Sequence, residues 1–268
     1  MPITSDSRDF DHLVARANNP IKILAEGDSW FAYPRQFFAF GKAANIVQVL
    51  GKKKRYIIYS TASSGDEALT MMSGEQKFSL TKRLKHTSFD LILFSGGGND
   101  IVGKYDFDFF IKPRDTSPNL SECIDYHRLD NKISQIRSVY IELLERIQEY
   151  SCNKGAKIVT HTYDYGVPDD KGFELFDLFP IGDSWLYPFL VQKGFDDQDE
   201  RREIVRIMLS RFRDTMVQLE QQYAGRLFVA DTQGLLQDNH WRNEIHPTPS
   251  GFKIVTKKVE EKMRLALD

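Results

Sequence analysis

The chain has 268 residues and a formal net charge of −2, from 36 lysines and arginines against 38 aspartates and glutamates. This balance argues against a polybasic nucleic-acid surface and against an acidic solvating tail. Hydrophobic residues make up 41% of the chain and charged residues 28%, which is typical of a folded globular protein and not of a disordered or coiled-coil one.

The two cysteines, Cys123 and Cys152, form no CxxC or Cys/His pair, so we expect neither a disulfide framework nor a zinc site. The beginning of the chain mixes acidic and basic residues and has no apolar signal-peptide core. Nowhere does the chain contain a run of about 18 uncharged apolar residues. We therefore predict a cytoplasmic protein that is not secreted by a standard signal and does not span a membrane.

Short apolar, β-branched runs alternate with longer amphipathic stretches along the chain. Five of these runs are typical of buried strands, because each is four to six residues long and is bounded by glycine, aspartate or serine. The predicted strands are 21–26, Tyr56–Ser60, 90–95, Lys157–His161 and Leu227–Ala230. The clearest predicted helices, with apolar residues every three or four positions, are 131–150, 202–223 and 251–267. Strands separated by crossover helices predict a three-layer α/β/α fold around a parallel sheet.

Two aromatic-rich insertions, at about 104–128 and 163–199, interrupt this alternation. Both follow strands at the carboxyl edge of the sheet, where open α/β folds place their ligand crevices. We expect them either to form the wall or lid of a pocket or to cap the core. Their aromatic residues include Tyr105, Phe107, Phe109, Phe110 and Tyr126 in the first and Phe173, Phe176, Phe179, Trp185, Tyr187 and Phe189 in the second. With no repeat or linker elsewhere, we predict a single domain over residues 1–268.

The first predicted strand leads directly into Gly27-Asp28-Ser29-Trp30, which places Ser29 on a turn that exposes its hydroxyl. Serine is a poor nucleophile by itself and needs a neighbouring base, together with donors that hold the oxyanion. The same tetrapeptide recurs at 182–185 without a strand before it. We interpret Ser184 as a loop or pocket residue.

Three further motifs follow later strands. Gly65 lies in a loop whose backbone N–H can approach a bound oxygen. Asn99 offers a side-chain amide within the glycine-rich stretch 96–100, and His246 lies beyond the fifth strand, where the last helix begins. Together with Ser29, these residues fall at the carboxyl edge of the predicted sheet, where they can meet.

In this set of motifs the chain resembles the SGNH hydrolases, also called GDSL-type esterases and lipases. The matching blocks, in the order of the family, are Gly27-Asp28-Ser29, Gly65, Gly97-Gly98-Asn99-Asp100 and His246-Pro247. The resemblance covers nearly the whole chain. It implies a flavodoxin-like parallel sheet of five strands in the order 2-1-3-4-5 and implies no metal or organic cofactor.

The resemblance also implies a role for each matching residue. Ser29 would be the nucleophile and His246 the general base and acid. The oxyanion would be held by the backbone N–H groups of Ser29 and Gly65 and by the side-chain amide of Asn99.

Three other polar residues near these motifs have structural interpretations. We expect Asp28 to cap the turn after the first strand and to help place Ser29. Asp100 is expected to anchor its loop. His161, at the end of the fourth strand, is either a pocket residue or a core residue.

One position departs from the pattern of the family, which usually has an aspartate three residues before the histidine. Here that residue is Asn243, whose carbonyl oxygen can accept a hydrogen bond from His246 but carries no charge. The alternatives for orienting the histidine are Glu244, a backbone carbonyl or a distant acid. In serine proteases the change from aspartate to asparagine costs ~10⁴ in turnover, so an unassisted Asn243 predicts a slow enzyme.

These features predict a serine hydrolase that cleaves carboxylic esters of a small molecule through an acyl-enzyme on Ser29. Neither a nucleic acid nor a membrane is an expected partner, and no composition signal indicates an oligomeric state. Two alternatives remain open. The same fold serves acyltransferases and carbohydrate O-deacetylases, and Asn243 leaves room for a catalytically impaired protein that only binds a ligand.

Overall fold

The computed structural model describes residues 2–34, 42–103, 106–150, 152–175, 179–182 and 184–268. Its centre is a six-stranded parallel sheet between two layers of helices. The strands of the sheet are β1 (Ile3–Thr4), β2 (Ile21–Gly27), β3 (Tyr56–Ser60), β4 (Leu91–Ser95), β5 (Lys157–His161) and β8 (Leu227–Ala230). Strands β6 (Phe173–Leu175) and β7 (Phe179–Gly182) form a separate antiparallel pair.

The spatial order of the sheet is β1-β3-β2-β4-β5-β8. The predicted order 2-1-3-4-5 of the five main strands is therefore confirmed, whereas the predicted number of strands is wrong by one. The additional strand, β1, pairs Ile3 with Ile58 and Thr4 with Tyr59 at the edge of the sheet. Two residues are too few to show a periodic pattern in the sequence, so only their pairing with β3 defines this strand.

The helices are α1 (Ser7–Arg16), α2 (Ser29–Ala32), α3 (Ile46–Leu50), α4 (Ala68–Met71), α5 (Gly74–His86), α6 (Gly98–Val102), α7 (Phe107–Phe110), α8 (Tyr126–Glu149), α9 (Tyr187–Gln192), α10 (Gln198–Gln222) and α11 (Pro249–Leu267). Short 3-10 turns lie at Arg114–Thr116, Leu120–Cys123 and Asp238–His240. Over the part of the chain that the structure describes, no helix is long and apolar enough to cross a membrane.

The three predicted helices correspond to α8, α10 and α11, but each begins a few residues earlier than its apolar pattern does. The reason is an N-terminal cap in each case. The side chains of Asp125, Asp197 and Thr248 accept hydrogen bonds from backbone N–H groups of the first turns. A side-chain acceptor at this position stabilises a helix by about 1 kcal/mol, so it sets the start of the helix independently of the buried face.

The first insertion, 104–128, forms part of the core. Phe107 and Phe110 on α7 are buried, whereas Phe109 is 58% exposed. Tyr105 lies outside the described residues. Of the two expectations for this segment, capping of the core is the one that the buried phenylalanines support.

The second insertion, 163–199, contains the β6–β7 pair and α9. Trp185 and Phe189 are partly buried and pack against the main hydrophobic core. Phe176 lies outside the described residues. This insertion also reaches the carboxyl edge of the sheet, where its contribution to the candidate site is described below.

The register of the two central strands brings two motifs together. Gly27 at the end of β2 lies opposite Ser95 at the end of β4. The backbone N–H of Asp28 also donates to the carbonyl of Ser95, at 3.0 Å. Because parallel strands end at the same edge, the turn after β2 and the glycine-rich turn after β4 become neighbours.

The glycine-rich turn depends on the left-handed conformation of Gly97, which has φ of 114° and is the N-cap residue of α6. A side chain there is strained for two reasons. Positive φ is unfavourable for residues with a Cβ. A Cβ at this position would also lie 2.7 Å from the ring of Phe212.

We expect Gly97→Ala to lower the free energy of unfolding by about 2 kcal/mol or more, because backbone strain and the clash with Phe212 add. Urea unfolding measures this change. The matched control is Gly155→Ala, since a Cβ at Gly155 meets no atom within 4 Å and its φ is outside the left-handed range. Equal effects of the two substitutions would contradict this account of the turn.

Candidate active site

The turn after β2 places Ser29 as the first residue of α2. Asp28 caps this short helix, because its Oδ1 accepts the backbone N–H of Trp30 at 2.9 Å. Ser29 itself is only 4% exposed. The local sequence thus fixes the backbone on both sides of the Ser29 hydroxyl.

The loop 241–247 carries His246 and is folded as a tight turn. Trp241 and Pro247 form an isolated antiparallel bridge, and the backbone N–H of Arg242 donates to the carbonyl of His246 at 2.9 Å. The indole N–H of Trp30 donates to the carbonyl of Ile245 at 3.2 Å, which ties the loop to the serine turn. As a result, His246 Nε2 lies 2.6 Å from the Oγ of Ser29.

Asn243 determines which nitrogen of His246 carries the proton. Its Oδ1 accepts the backbone N–H groups of His246 at 2.9 Å and of Ile245 at 3.3 Å. An atom that accepts two N–H groups must be the carbonyl oxygen of the amide and not its nitrogen. This oxygen lies 3.1 Å from His246 Nδ1, so Nδ1 bears the hydrogen and Nε2 directs its lone pair at the Ser29 hydroxyl.

The environment of His246 favours its neutral form. Burial lowers the pKa of His246 to about 3, and the positive charge of Arg242 acts in the same direction. An aspartate at position 243 would oppose this shift, because a nearby negative charge favours the imidazolium. Asn243 supplies the orientation without the charge, and its Nδ2 is buried without a hydrogen-bond partner among the residues described.

Glu244 was one of the alternatives for orienting His246, but in the structure its carboxylate binds other groups. Its carboxylate accepts the backbone N–H groups of Leu186 at 3.0 Å and Tyr187 at 2.7 Å, and also that of Trp185. The suggestion that Glu244 orients His246 is therefore wrong, because the turn directs this side chain at the second insertion. Burial raises the pKa of Glu244 to about 7.

Asn99 and the loop that contains Gly65 are bound to each other, and the loop is bound to the end of β2. The side-chain amide of Asn99 donates to the carbonyl of Asp66 at 2.9 Å, and the backbone N–H of Ser63 donates to the carbonyl of Gly27 at 2.9 Å. Asn99 and Ser29 line one cavity, whereas Gly65 is outside its lining. The structure thus brings together Ser29, Asn99 and His246. It places Gly65, which has φ of 91°, on an adjoining exposed loop.

Asp100 connects two helices. Its carboxylate accepts the backbone N–H groups of Ala68 at 2.8 Å and Leu69 at 3.3 Å, at the start of α4. The side chain is fully buried, and burial raises the pKa of Asp100. These contacts agree with the expectation that Asp100 anchors its loop.

A buried network behind Ser29 was not anticipated from the sequence. The backbone N–H of Tyr163 donates to His161 Nδ1 at 3.2 Å, so His161 Nε2 carries its hydrogen and donates to Ser95 Oγ at 2.9 Å. The hydroxyls of Ser95 and Tyr163 then donate to the carboxylate of Asp28, at 2.8 Å and 2.5 Å. Burial raises the pKa of Asp28 to about 7. The sequence showed that these polar residues lie at strand ends, but it did not show which of them are hydrogen-bonded to each other.

The sequence left His161 as either a pocket residue or a core residue, and the structure places it in the core. It is 1% exposed and stacks on Trp30 with ring centroids 5.0 Å apart. Burial lowers the pKa of His161 to about 3, which matches its role as a neutral donor.

The second copy of the tetrapeptide lies in the second insertion. Ser184 is buried, 5% exposed, and directly precedes Trp185, whose N–H binds Glu244. Asp183 lies outside the described residues. The structure pairs His246 with Ser29 and places Ser184 in the segment that leads to α9.

No protein-family model and no curated protein matches the chain. Several solved structures are similar to it. The lipase Lip_vut3 from a goat rumen metagenome is 17% identical, with a TM-score of 0.55 over 92% of this chain and 97% of that one. A catalytic mutant of Axe2, an acetylxylan esterase from Geobacillus stearothermophilus, is 15% identical, with a TM-score of 0.52 over 92% and 96%. A protein from Slackia heliotrinireducens assigned to the SGNH hydrolases is 15% identical, with a TM-score of 0.53 over 91% and 100%.

Identities of 15–17% show a common fold. The fold of the SGNH hydrolases, which the sequence motifs implied, is therefore confirmed for this chain. The roles of individual residues are a separate question, which the local geometry addresses.

The attachment of the second insertion to Glu244 predicts a pH-dependent stability. The pKa of this carboxyl is raised by burial from an ordinary 4.5 to about 7, so the folded protein binds a proton that the unfolded chain releases. Stability then falls as pH rises through this interval. We expect Glu244→Gln to remove about 3 kcal/mol of that fall, at about 1.4 kcal/mol per pKa unit.

The measurement is urea unfolding of the unmodified protein and of Glu244→Gln at pH about 5 and about 8. The contributions of the other titratable groups cancel when the pH dependences of the two proteins are subtracted. Glu145→Gln is the control, because Glu145 is exposed on α8. An unchanged pH dependence in Glu244→Gln would show that Glu244 is not the group responsible.

Proposed function

We propose that the chain is a serine hydrolase that cleaves carboxylic esters, with Ser29 as the nucleophile and His246 as the general base. The observation that carries this proposal is the 2.6 Å contact between Ser29 Oγ and the unprotonated Nε2 of His246, whose tautomer is set by Asn243. A nucleophile within hydrogen-bond reach of a base that a third group orients is the arrangement required for acyl transfer. The fold is also that of known esterases and lipases.

In the first half of the reaction, Ser29 Oγ forms a bond to the ester carbonyl carbon while its proton moves to His246 Nε2. The carbonyl electrons move onto the oxygen, which becomes an oxyanion. The side-chain amide of Asn99 and the backbone N–H groups of Ser29 and Gly65 are the proposed donors to that oxyanion. Removal of one such donor typically costs roughly 10²–10³ in turnover.

The intermediate then collapses, and the alcohol leaves with the proton from His246. Water enters, gives its proton to the same nitrogen and attacks the acyl carbon, and the acid is released as Ser29 regains its proton. Both halves pass through an imidazolium. Because Asn243 carries no charge to stabilise that cation, we expect a lower turnover than an aspartate would support.

Two alternatives use the same residues. An acyltransferase would differ only in the acceptor of the acyl group, and a carbohydrate O-deacetylase only in the alcohol of the ester. The fold shared with an acetylxylan esterase makes the O-deacetylase a specific candidate. A protein that only binds a ligand is less well supported, because it has no need of the tautomer that Asn243 imposes on His246. The proposal also includes a small-molecule ester as the partner, a cytoplasmic location and a single domain over the chain.

We expect Ser29→Ala to abolish hydrolysis of a small activated ester and labelling by a fluorophosphonate, because the attacking oxygen is removed. Ser184→Ala is the matched control, since it makes the same change in the second copy of the tetrapeptide. It should leave most of both activities. Loss of activity in Ser184→Ala with retention in Ser29→Ala would show that the wrong serine has been assigned.

The low pKa of His246, about 3, predicts that kcat/KM keeps its neutral-pH value down to pH values well below the 6.5 of an ordinary imidazole. In Asn243→Asp the buried carboxylate favours the imidazolium, so the acidic limb should move to higher pH. Turnover above that limb should rise, with ~10⁴ as the upper limit suggested by serine proteases. The measurement is the pH profile of kcat/KM for both proteins. An acidic limb at the same pH in both would contradict the assignment of Asn243.

A further inference from the structure

A small cavity lies directly beside Ser29, with a volume of about 20 Å³. Roughly 10–15 Å³ is needed for a single water molecule, so this cavity takes one group of about that size. Ser29 and Asn99 both form part of its wall. If the proposed function is correct, an acyl group on Ser29 with its oxygen at Asn99 directs its carbon chain into this cavity.

Much of the cavity lining is apolar. It includes the side chains of Val102, Leu186, Val205, Leu209 and Ile245. All five side chains are less than 9% exposed. These five side chains suit a hydrocarbon group and offer no hydrogen-bond partner to a charged or hydroxylated one.

Two carboxylates also border the cavity, but their oxygens are already bound. Asp28 accepts hydrogen bonds from Ser95, Tyr163 and the N–H of Trp30. The Asp164 carboxylate accepts N–H groups from its neighbour Tyr165 and from residues 234 and 236. These groups stabilise the walls and are not available to a ligand.

The walls of the cavity are held in place by hydrogen bonds. The N–H of Leu186 is bound by Glu244, and the carbonyl of Ile245 is bound by the indole of Trp30. Tyr163, also in the lining, has a left-handed backbone with φ of 58° and is tied to Asp28 through its hydroxyl. A longer acyl chain inside this cavity would have to displace its walls, because a close-packed interior does not yield continuously.

From this geometry we infer that the substrates are acetyl esters. The methyl group of an acetyl fills the cavity. The alcohol leaves when the acetyl-enzyme forms on Ser29, and water then releases acetate from Ser29. One methylene that a hydrophobic pocket cannot accommodate changes kcat/KM by roughly 10–200-fold. Selection therefore acts on the acyl side of the ester.

The test is a series of p-nitrophenyl esters, namely acetate, propionate, butyrate and octanoate, with Ser29→Ala as the blank. We expect kcat/KM for butyrate to be lower than for acetate by roughly 10-fold or more. Equal or higher kcat/KM for butyrate or octanoate, still dependent on Ser29, overturns the inference and leaves the proposed function intact. Absence of Ser29-dependent hydrolysis for every ester, with no fluorophosphonate labelling, overturns the proposed function itself.

Leu209→Ala enlarges the cavity and should reduce the acetate-to-butyrate ratio by roughly 10-fold or more. Leu219→Ala is the matched control, because Leu219 is buried on the same helix, α10, but does not line the cavity. It should leave the ratio unchanged. Val205→Ala is a milder enlargement in case Leu209→Ala fails to fold. A folded enlarged variant with the ratio of the unmodified protein overturns the assignment of this cavity to the acyl group.

Discussion

One buried oxygen, Oδ1 of Asn243, holds the candidate active site together. It accepts the backbone N–H groups of Ile245 and His246 and lies 3.1 Å from His246 Nδ1. The first two contacts fold the loop, and the third directs the lone pair of Nε2 at Ser29. Orientation and tautomer of a base are therefore available without a charged partner. The amide cannot stabilise an imidazolium electrostatically, because it carries no charge. Position 243 therefore contributes to the geometry of the site without contributing an ionic interaction.

The buried carboxylates around the site are structural anchors. Asp28 holds the serine turn to Ser95 at the end of β4 and to Tyr163 just after β5. Asp100 holds α6 to α4, and Glu244 holds the histidine loop to the second insertion. Each accepts two or more donors, which offsets the cost of burying a polar group. Burial nevertheless raises the pKa of all three. The insertion is thus joined to the site by a contact with its own pH dependence.

Pattern reasoning located the main strands because buried parallel strands are short, apolar and sharply bounded. It missed β1, which has two residues and exists only through its pairing with β3. It placed the starts of α8, α10 and α11 too late, because the apolar period marks the buried face and not the capping residue. The buried Phe107 and Phe110 show the same limit. Their aromatic character was evident, but their place in the core depends on how the insertion folds back.

The sequence by itself determined the residue types of the site and the edge at which they gather, because the motifs follow strands whose carboxyl ends coincide in any parallel sheet. The order of the strands was implied by the resemblance to the SGNH hydrolases. Only the tertiary structure decided their partners. Glu244 and Asn243 are adjacent, yet one binds the second insertion and the other binds His246. Asp28, Ser95, His161 and Tyr163 likewise meet from separate strand ends. Hydrogen bonds require positions within a few tenths of an ångström, which packing across distant segments sets and local spacing does not.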